Sequence, residues 1–136
     1  MRRLRAAYLA AALAVVLAGV LSRVLHSGQP LVDKYLGDAL YAALVYLLLR
    51  AWRPGDALAG HALASLVLLI AIETFQRTGI PARMARSGNL AARLLAIALG
   101  TGFSWYDLLA YAIGILALLL ADCALVRRAA RADPGS

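Results

Sequence analysis

Three carboxylates stand at corresponding positions in three separate apolar segments of the sequence. Asp38 lies near the start of the second segment, Glu73 near the end of the third, and Asp107 near the start of the fourth. If consecutive segments cross a bilayer in opposite directions, these three positions meet at one membrane face. Ionisable groups at the edge of the hydrocarbon are costly, so three at one depth indicate a shared site. Such carboxylates can hydrogen-bond a polyol or an amine, or carry protons.

Polar partners recur one helical turn from these carboxylates. Tyr41 and Tyr111 follow Asp38 and Asp107 at spacings of three and four residues, and Gln76 follows Glu73 at a spacing of three. Residues three or four apart lie on the same helical face, so each partner can face the same mouth of a bundle.

Two arginines complete the predicted site. Arg23 ends the first segment at the level of the acids and is the expected counter-ion, whereas Arg86 lies in the loop after the third segment and can hold a phosphate. The predicted ligand-binding residues are Asp38, Tyr41, Glu73, Gln76, Arg86, Asp107 and Tyr111.

A purely structural interpretation of the acids competes with this site. Asp38 and Asp107 are expected in the first turns of their helices, where a carboxylate complements the helix dipole. Glu73 could pair with Arg77 one turn further on. Helix capping alone, however, requires neither a matched depth nor the two tyrosines.

The composition is that of an integral membrane protein. Of 136 residues, 63% are hydrophobic and 15% are charged, against about 45–50% and about 25% in soluble domains. The net charge of +7 comes from basic residues clustered at segment ends, which is typical of membrane orientation and argues against nucleic-acid binding. A single cysteine excludes an intramolecular disulfide and a cysteine-based metal cluster. No metal or cofactor is expected, and the absence of catalytic motifs argues against an enzyme.

The sequence predicts an all-α membrane protein with one integral membrane domain, residues 1–126, and a polar cytoplasmic tail, residues 127–136. We expect the first segment to be an uncleaved helix rather than a signal peptide, because its apolar run is long and lacks a clear cleavage site. A short interfacial or re-entrant helix is expected between the third and fourth membrane helices, at residues 89–99. The four transmembrane helices are predicted at residues 6–24, 35–52, 57–77 and 104–126.

Basic clusters also predict the orientation. Arginines crowd both termini, at residues 2–5 and 127–131, and the turn that contains Arg50 and Arg53. By the positive-inside rule, both termini are then cytoplasmic and the acidic cluster faces the outer leaflet. The predicted location is a bacterial inner membrane, crossed several times.

The spacing across the third and fourth segments resembles a known pattern. Glu73 and Gln76, a downstream arginine, and then Asp107, Tyr111 and Gly114 resemble the VanZ-like membrane proteins. Those proteins carry Glu-x-x-Gln, then Arg, then Asp-x-x-x-Asn-x-x-Gly. Tyr111 therefore departs from the VanZ pattern, where asparagine is found.

A fuller pattern, at residues 37–41 and 103–111, is similar to the uncharacterised bacterial family Domain of Unknown Function 2809, over about residues 15–120. The resemblance implies a role in the bacterial envelope. It also implies that four residues of the predicted site are candidates, namely Glu73, Gln76, Arg86 and Asp107.

Three functions remain open from the sequence. The first is a small inner-membrane protein that binds a lipid-linked or cell-envelope headgroup at the outer face. The second is a proton- or cation-coupled transporter component, and the third is a structural subunit of a membrane complex. The expected partners are membrane lipids, a lipid-linked envelope precursor, and a second copy of the chain or another membrane subunit.

Overall fold

The computed structural model describes residues 2–24, 30–100, 102 and 104–132, and over these ranges it contains helices and no strand. The predicted all-α class is therefore confirmed. Six helices follow one another along the chain: α1 (Arg2–Val24), α2 (Pro30–Trp52), α3 (Leu58–Gln76), α4 (Ile80–Ala85), α5 (Leu90–Leu99) and α6 (Trp105–Ala132).

Three of the long helices extend beyond their predicted ends, and α1 does so by beginning at Arg2 rather than at residue 6. Helix α2 begins at Pro30 rather than near residue 35, since proline is tolerated where a helix needs no backbone N–H donor. Helix α6 continues to Ala132, so residues 127–132 are helical rather than an irregular tail. Residues 133–136 of the predicted tail lie outside the described ranges.

The predicted loop at residues 78–87 contains the short helix α4, so the loop assignment was wrong there. Gly79, at φ +70°, makes the left-handed turn that separates α3 from α4, and Pro81 lies in the first turn of α4. The glycine and proline that suggested a loop in fact delimit a helix, because glycine adopts the required turn and proline favours a helix start.

The short helix predicted before the last membrane segment is present as α5. The Asn89 side chain caps it by accepting hydrogen bonds from the N–H groups of Ala91 and Ala92, at 2.9 and 3.3 Å. Gly100, at φ +80°, follows its last residue. Ten residues span only about 15 Å, too short to cross a bilayer.

Among the residues that the structure describes, three helices are long and apolar enough to cross a membrane: Arg2–Ser22, Leu58–Gln76 and Trp105–Arg128. By length and composition, the chain is therefore a membrane-spanning protein. Helix α2 is also long enough, with 23 residues, but it is not one of these three.

Helix α2 packs against α1, α3 and α6, and α6 also packs against α3. A central apolar cluster joins these helices, composed of Ala42, Tyr46, Leu69, Tyr111 and Ile115. Helices α2 and α6 approach closely at Gly114, where a Cβ atom would lie only 2.4 Å from the carbonyl oxygen of Ala39. Small residues permit such close crossings in membrane bundles.

Hydrogen bonds fix which helix ends lie together. The Tyr8 hydroxyl, near the start of α1, donates to Asp122, near the end of α6, at 2.7 Å. The Tyr111 hydroxyl, near the start of α6, donates to Glu73, near the end of α3, at 3.1 Å. The start of α1 and the end of α6 therefore share one side of the bundle, and the predicted site lies on the other.

Candidate ligand site

A cavity of about 450 Å³ lies where α2 and α6 begin and α3 and α5 end. Its polar wall comes mainly from α2, α3 and α6, whereas α5 contributes apolar side chains. The lining residues are Lys34, Gly37, Asp38, Tyr41, Gln76, Ile97, Ala98, Leu99, Gly100, Gly102, Asp107 and Tyr111. Five of the seven predicted site residues thus line one cavity.

Two carboxyl groups and one ammonium group meet across the α2–α6 interface. Lys34 Nζ lies 2.9 Å from Asp107 Oδ1, and Asp107 is almost fully buried. The Asp38 carboxyl group interacts directly with that of Asp107 and more distantly with Lys34. One ammonium group cannot neutralise two carboxylates, so this wall of the cavity is electronegative when both are ionised.

Lys34 is the counter-ion that the sequence analysis did not assign. It precedes the predicted membrane segment 35–52, and its contact with Asp107 raises the pKa of its ammonium group. Its side chain is 49% exposed, so the charge pair bridges a buried carboxylate and the surface. The earlier start of α2 brings Lys34 into the helix, four residues before Asp38, and this is what places it on the same face.

Glu73 lies behind the cavity wall rather than on it. Its Oε1 accepts a hydrogen bond from the backbone N–H of Ser104 at 3.1 Å. Its Oε2 accepts from the Tyr111 hydroxyl at 3.1 Å and from Gln76 Nε2 at 3.3 Å. With 1% of its surface exposed, Glu73 joins α3 to the start of α6 and orients two lining residues.

Gln76 lines the cavity and carries an unpaired oxygen. Its Nε2 donates to the carbonyl oxygen of Leu99 at 2.8 Å, which fixes the orientation of the amide. The other end, Oε1, is buried and has no hydrogen-bond partner, although the residue is only 6% exposed. Gly100 leaves room for this amide, since a Cβ atom there would lie 3.1 Å from Gln76 Nε2.

A second unpaired oxygen, Asp38 Oδ2, belongs to the same cavity. Buried polar atoms are nearly always hydrogen-bonded, so each exception requires an explanation. Both of these atoms are acceptors on residues that line one space. They therefore favour an occupant that donates hydrogen bonds.

The two tyrosines line the cavity together. Their ring centres lie 6.4 Å apart at an interplanar angle of 56°, within the range of favourable aromatic pairs. The Tyr111 hydroxyl is used by Glu73. Tyr41 thus adds a hydroxyl to the cavity wall, as its spacing from Asp38 predicted.

The position of Asp38 bears on the capping interpretation. Because α2 begins at Pro30, Asp38 lies in the third helical turn rather than in the first. The stabilising effect of a helix terminus falls off within the first turn, so it does not account for Asp38. Asp107 does lie in the first turn of α6, where dipole complementation still applies.

The two predicted arginines are not part of the cavity wall in the described structure. Arg86 follows α4, is exposed, and does not line the cavity. Arg23 lies in α1, but its side chain falls outside the described part of the chain. A role of Arg23 or Arg86 in ligand binding therefore stays a prediction. The positively charged side chain described in the cavity wall is that of Lys34.

A second polar cluster, missed from the sequence, lies at the opposite end of the bundle. Asp122 accepts hydrogen bonds from the Tyr8 and Tyr46 hydroxyls and pairs with Arg50 at 3.0 Å. The pairing of Arg50 with Asp122 joins two helices through residues that are 72 positions apart in the sequence. No pattern within α2 or α6 alone predicts such a pair.

The polar groups of this second cluster are hydrogen-bonded to one another and to backbone carbonyl oxygens. Arg50 also donates to the carbonyl oxygens of Pro54 and Asp56, both at 3.1 Å, and to the Tyr8 hydroxyl at 2.7 Å. A charge pair satisfied on all sides anchors α1, α2 and α6 to one another. It offers no free group to a ligand, in contrast to the cavity at the other end.

Among the described residues, no group of three or more histidine, cysteine, aspartate or glutamate side chains could hold a metal ion. The polar residues that line the cavity can accept hydrogen bonds and attract a positive group, whereas Ile97 and Leu99 of α5 supply apolar contact.

The fold and the cavity together define a small helical membrane protein with a polar site at one end of its bundle. A family described as "Protein of unknown function (DUF2809)" matches residues 27–115, and the chain belongs to this family. The match includes every residue that lines the cavity, but neither Tyr8 nor Asp122. The likeness to VanZ-like proteins stays a prediction.

Comparison with curated proteins and with solved structures finds no match.

Proposed function

We propose that the protein crosses the membrane four times and binds a polar headgroup, lipid-linked or from the cell envelope, in the cavity at the outer face. The observation that carries this proposal is the buried, unpaired Gln76 Oε1 on the wall of a cavity that also contains Asp38. An oxygen left without a partner costs about 1–3 kcal/mol, which a donating ligand would recover.

The fourth crossing is supported by contacts at both ends of α2. Asp38 interacts with Asp107 near the start of α6, and Arg50 pairs with Asp122 fifteen residues further along α6. Fifteen helical residues rise about 22 Å. Helix α2 therefore runs alongside a helix that is apolar enough to span, over most of the thickness of the hydrocarbon.

Helix α5 supports a ligand from the membrane surface. Its residues Leu90, Leu94, Leu95 and Ile97 are exposed, while Asn89 caps its polar start. Exposed apolar side chains on a short helix are typical of helices that lie in the interface. Because the end of α5 also lines the cavity, a headgroup could reach the polar wall while its acyl chains stay in the bilayer.

Transport of protons or cations is less well supported. A path through the bundle would need polar groups between the cavity and the Asp122 cluster. Ala42 of α2 and Ile115 of α6 lie along their helices between the two polar groups and belong to a buried, mainly apolar cluster. This barrier favours binding at one face over passage between two faces.

Bound lipids provide the test. We would purify the protein in a mild detergent and identify retained molecules by native mass spectrometry, alongside Asp38→Asn and Asp107→Asn. The wild type is expected to retain a headgroup-bearing molecule that both variants lose. Asp56→Asn, at an exposed carboxylate on the opposite side, is the matched control and should retain it.

Thermal unfolding of each variant separates binding from folding. Loss of the molecule with an unchanged midpoint supports a ligand site. Identical lipid retention by all four proteins would overturn the proposal. Loss of stability without any retained molecule in the wild type would favour a structural subunit instead.

A further inference from the structure

We infer that the ligand of this cavity bears a primary ammonium group, which Asp38 and Gln76 bind on one side of the Lys34–Asp107 pair. The inference rests on the proposed ligand site and specifies its chemistry.

Two residues of the cavity wall carry acceptor oxygens without a hydrogen-bond partner. Asp38 Oδ2 and Gln76 Oε1 are both buried and unpaired, and both residues line the cavity. Gln76 cannot turn its amide to donate instead, because its Nε2 is bound to Leu99 O and faces Glu73. A ligand that only accepts hydrogen bonds, such as a bare phosphate, would leave both oxygens unsatisfied.

The charge of the lining residues favours a cationic hydrogen-bond donor over a neutral one. Within the described lining, Asp38 and Asp107 are opposed by Lys34 alone, and Lys34 is already in contact with Asp107. An ammonium group beside Asp38 would complete the neutralisation, whereas a hydroxyl would not. It also carries three N–H donors, enough for Asp38, Gln76 and the Tyr41 hydroxyl.

The ion pair of Lys34 shows that an ammonium group can lie beside a carboxylate of the cavity wall. Its ammonium nitrogen lies 2.9 Å from Asp107 Oδ1, which makes the two groups an ion pair. A ligand ammonium beside Asp38 would repeat this pairing with the second carboxylate. Lys34 is therefore also a competitor, because it takes up negative charge that would otherwise attract the ligand.

The test uses titration of purified protein in detergent, followed by native mass spectrometry. The probes are phosphatidylethanolamine, N-acetylated phosphatidylethanolamine, phosphatidylcholine, phosphatidylglycerol and free ethanolamine. We expect phosphatidylethanolamine to bind about tenfold or more tightly than the acetylated, quaternary and glycerol lipids, since each lacks the charge, the N–H donors or both.

The binding of free ethanolamine distinguishes a free amine from a lipid headgroup as the ligand. Binding as tight as that of phosphatidylethanolamine would support ammonium recognition of a free amine, and much weaker binding would support a lipid headgroup. Equal binding of the acetylated lipid would overturn the ammonium inference but leave headgroup binding intact. If none of the lipids or ethanolamine binds, the inference fails, and lipid retention in the preceding experiment then decides the proposed function separately.

Two substitutions act in opposite directions. Asp38→Asn should weaken binding of phosphatidylethanolamine about tenfold or more, whereas Asp56→Asn should leave it unchanged. Lys34→Met should strengthen it several-fold, because Asp107 loses its internal cation. A gain in affinity cannot arise from misfolding. Weaker or unchanged binding by Lys34→Met would overturn the inference.

Discussion

The buried carboxylates of this chain differ in how their oxygens are used. Both oxygens of Glu73 are satisfied by the protein, through Ser104, Gln76 and Tyr111. Asp38 retains an oxygen without a partner. The same functional group, a carboxylate, thus positions neighbours in one place and is available to a ligand in another.

The substitution Glu73→Gln tests whether Glu73 positions Tyr111 and Gln76. The substituted amide offers one acceptor oxygen, and its NH₂ group would face a donor, so the free energy of unfolding should fall by about 1–3 kcal/mol. Tyr111→Phe removes one bond and should cost about 1 kcal/mol. Thermal unfolding in detergent measures both.

The double variant should cost less than the sum of the two, because the residues share a bond. Thr74→Ala, at an exposed neighbour on the same helix, should shift the midpoint little. Strict additivity would mean that the Tyr111–Glu73 bond contributes nothing.

Asp122 is expected to be the most costly carboxylate to neutralise. Asp122→Asn leaves Arg50, which is 3% exposed, without its charge partner. Removing one member of a buried pair costs about 3–5 kcal/mol. Chemical or thermal unfolding should show a far larger loss for Asp122→Asn than for Asp56→Asn, whose ion pair is exposed. Equal losses would show that Arg50 is held by its backbone acceptors alone.

At the scale of the helices, the crossing of α2 and α6 depends on one glycine. A Cβ atom on Gly114 would lie 2.4 Å from Ala39 O, so Gly114→Ala must separate the two helices. Overpacking of this kind typically costs about 1–3 kcal/mol. Because Asp38 and Asp107 lie on these helices, ligand binding should weaken as well.

Gly60→Ala is the matched control, since a Cβ atom there meets nothing within 4 Å. In the first turn of α3, this change should leave stability unchanged or raise it by less than the ~1 kcal/mol of a helix interior. The comparison is made by thermal unfolding in detergent. A neutral Gly114→Ala would show that the helices can separate without loss.

Helix α5 is predicted to begin and end at the same membrane face. Single cysteines placed at Gly88 and Gly102, both exposed, should react with a membrane-impermeant maleimide added from one side. The background carries Cys123→Ala, which removes the natural thiol. Labelling of the two positions from opposite sides would mean that this region crosses the bilayer.

Over the whole molecule, the sequence predicted most of the cavity residues and the described helices except α4, because helical periodicity and segment alternation are local patterns. Asp38, Gln76 and Asp107 were placed together by those patterns alone. Lys34 was missed because its participation depends on the first turn of α2, whose start was placed five residues late. Pairing across helices, as between Arg50 and Asp122, depends on the rotation of each helix, which periodicity does not determine.

Orientation and the number of crossings can be tested together. With four crossings and cytoplasmic termini, reporter fusions should give a cytoplasmic signal after Arg53 and Ala130, and an outer signal at Ser87. The basic clusters at both termini and beside Arg53 favour this arrangement. If α2 does not cross, the signals at Arg53 and Ser87 are exchanged, and the start of α1 and the end of α6 fall on opposite sides. That outcome would conflict with the Tyr8–Asp122 hydrogen bond, which joins the start of α1 to the end of α6.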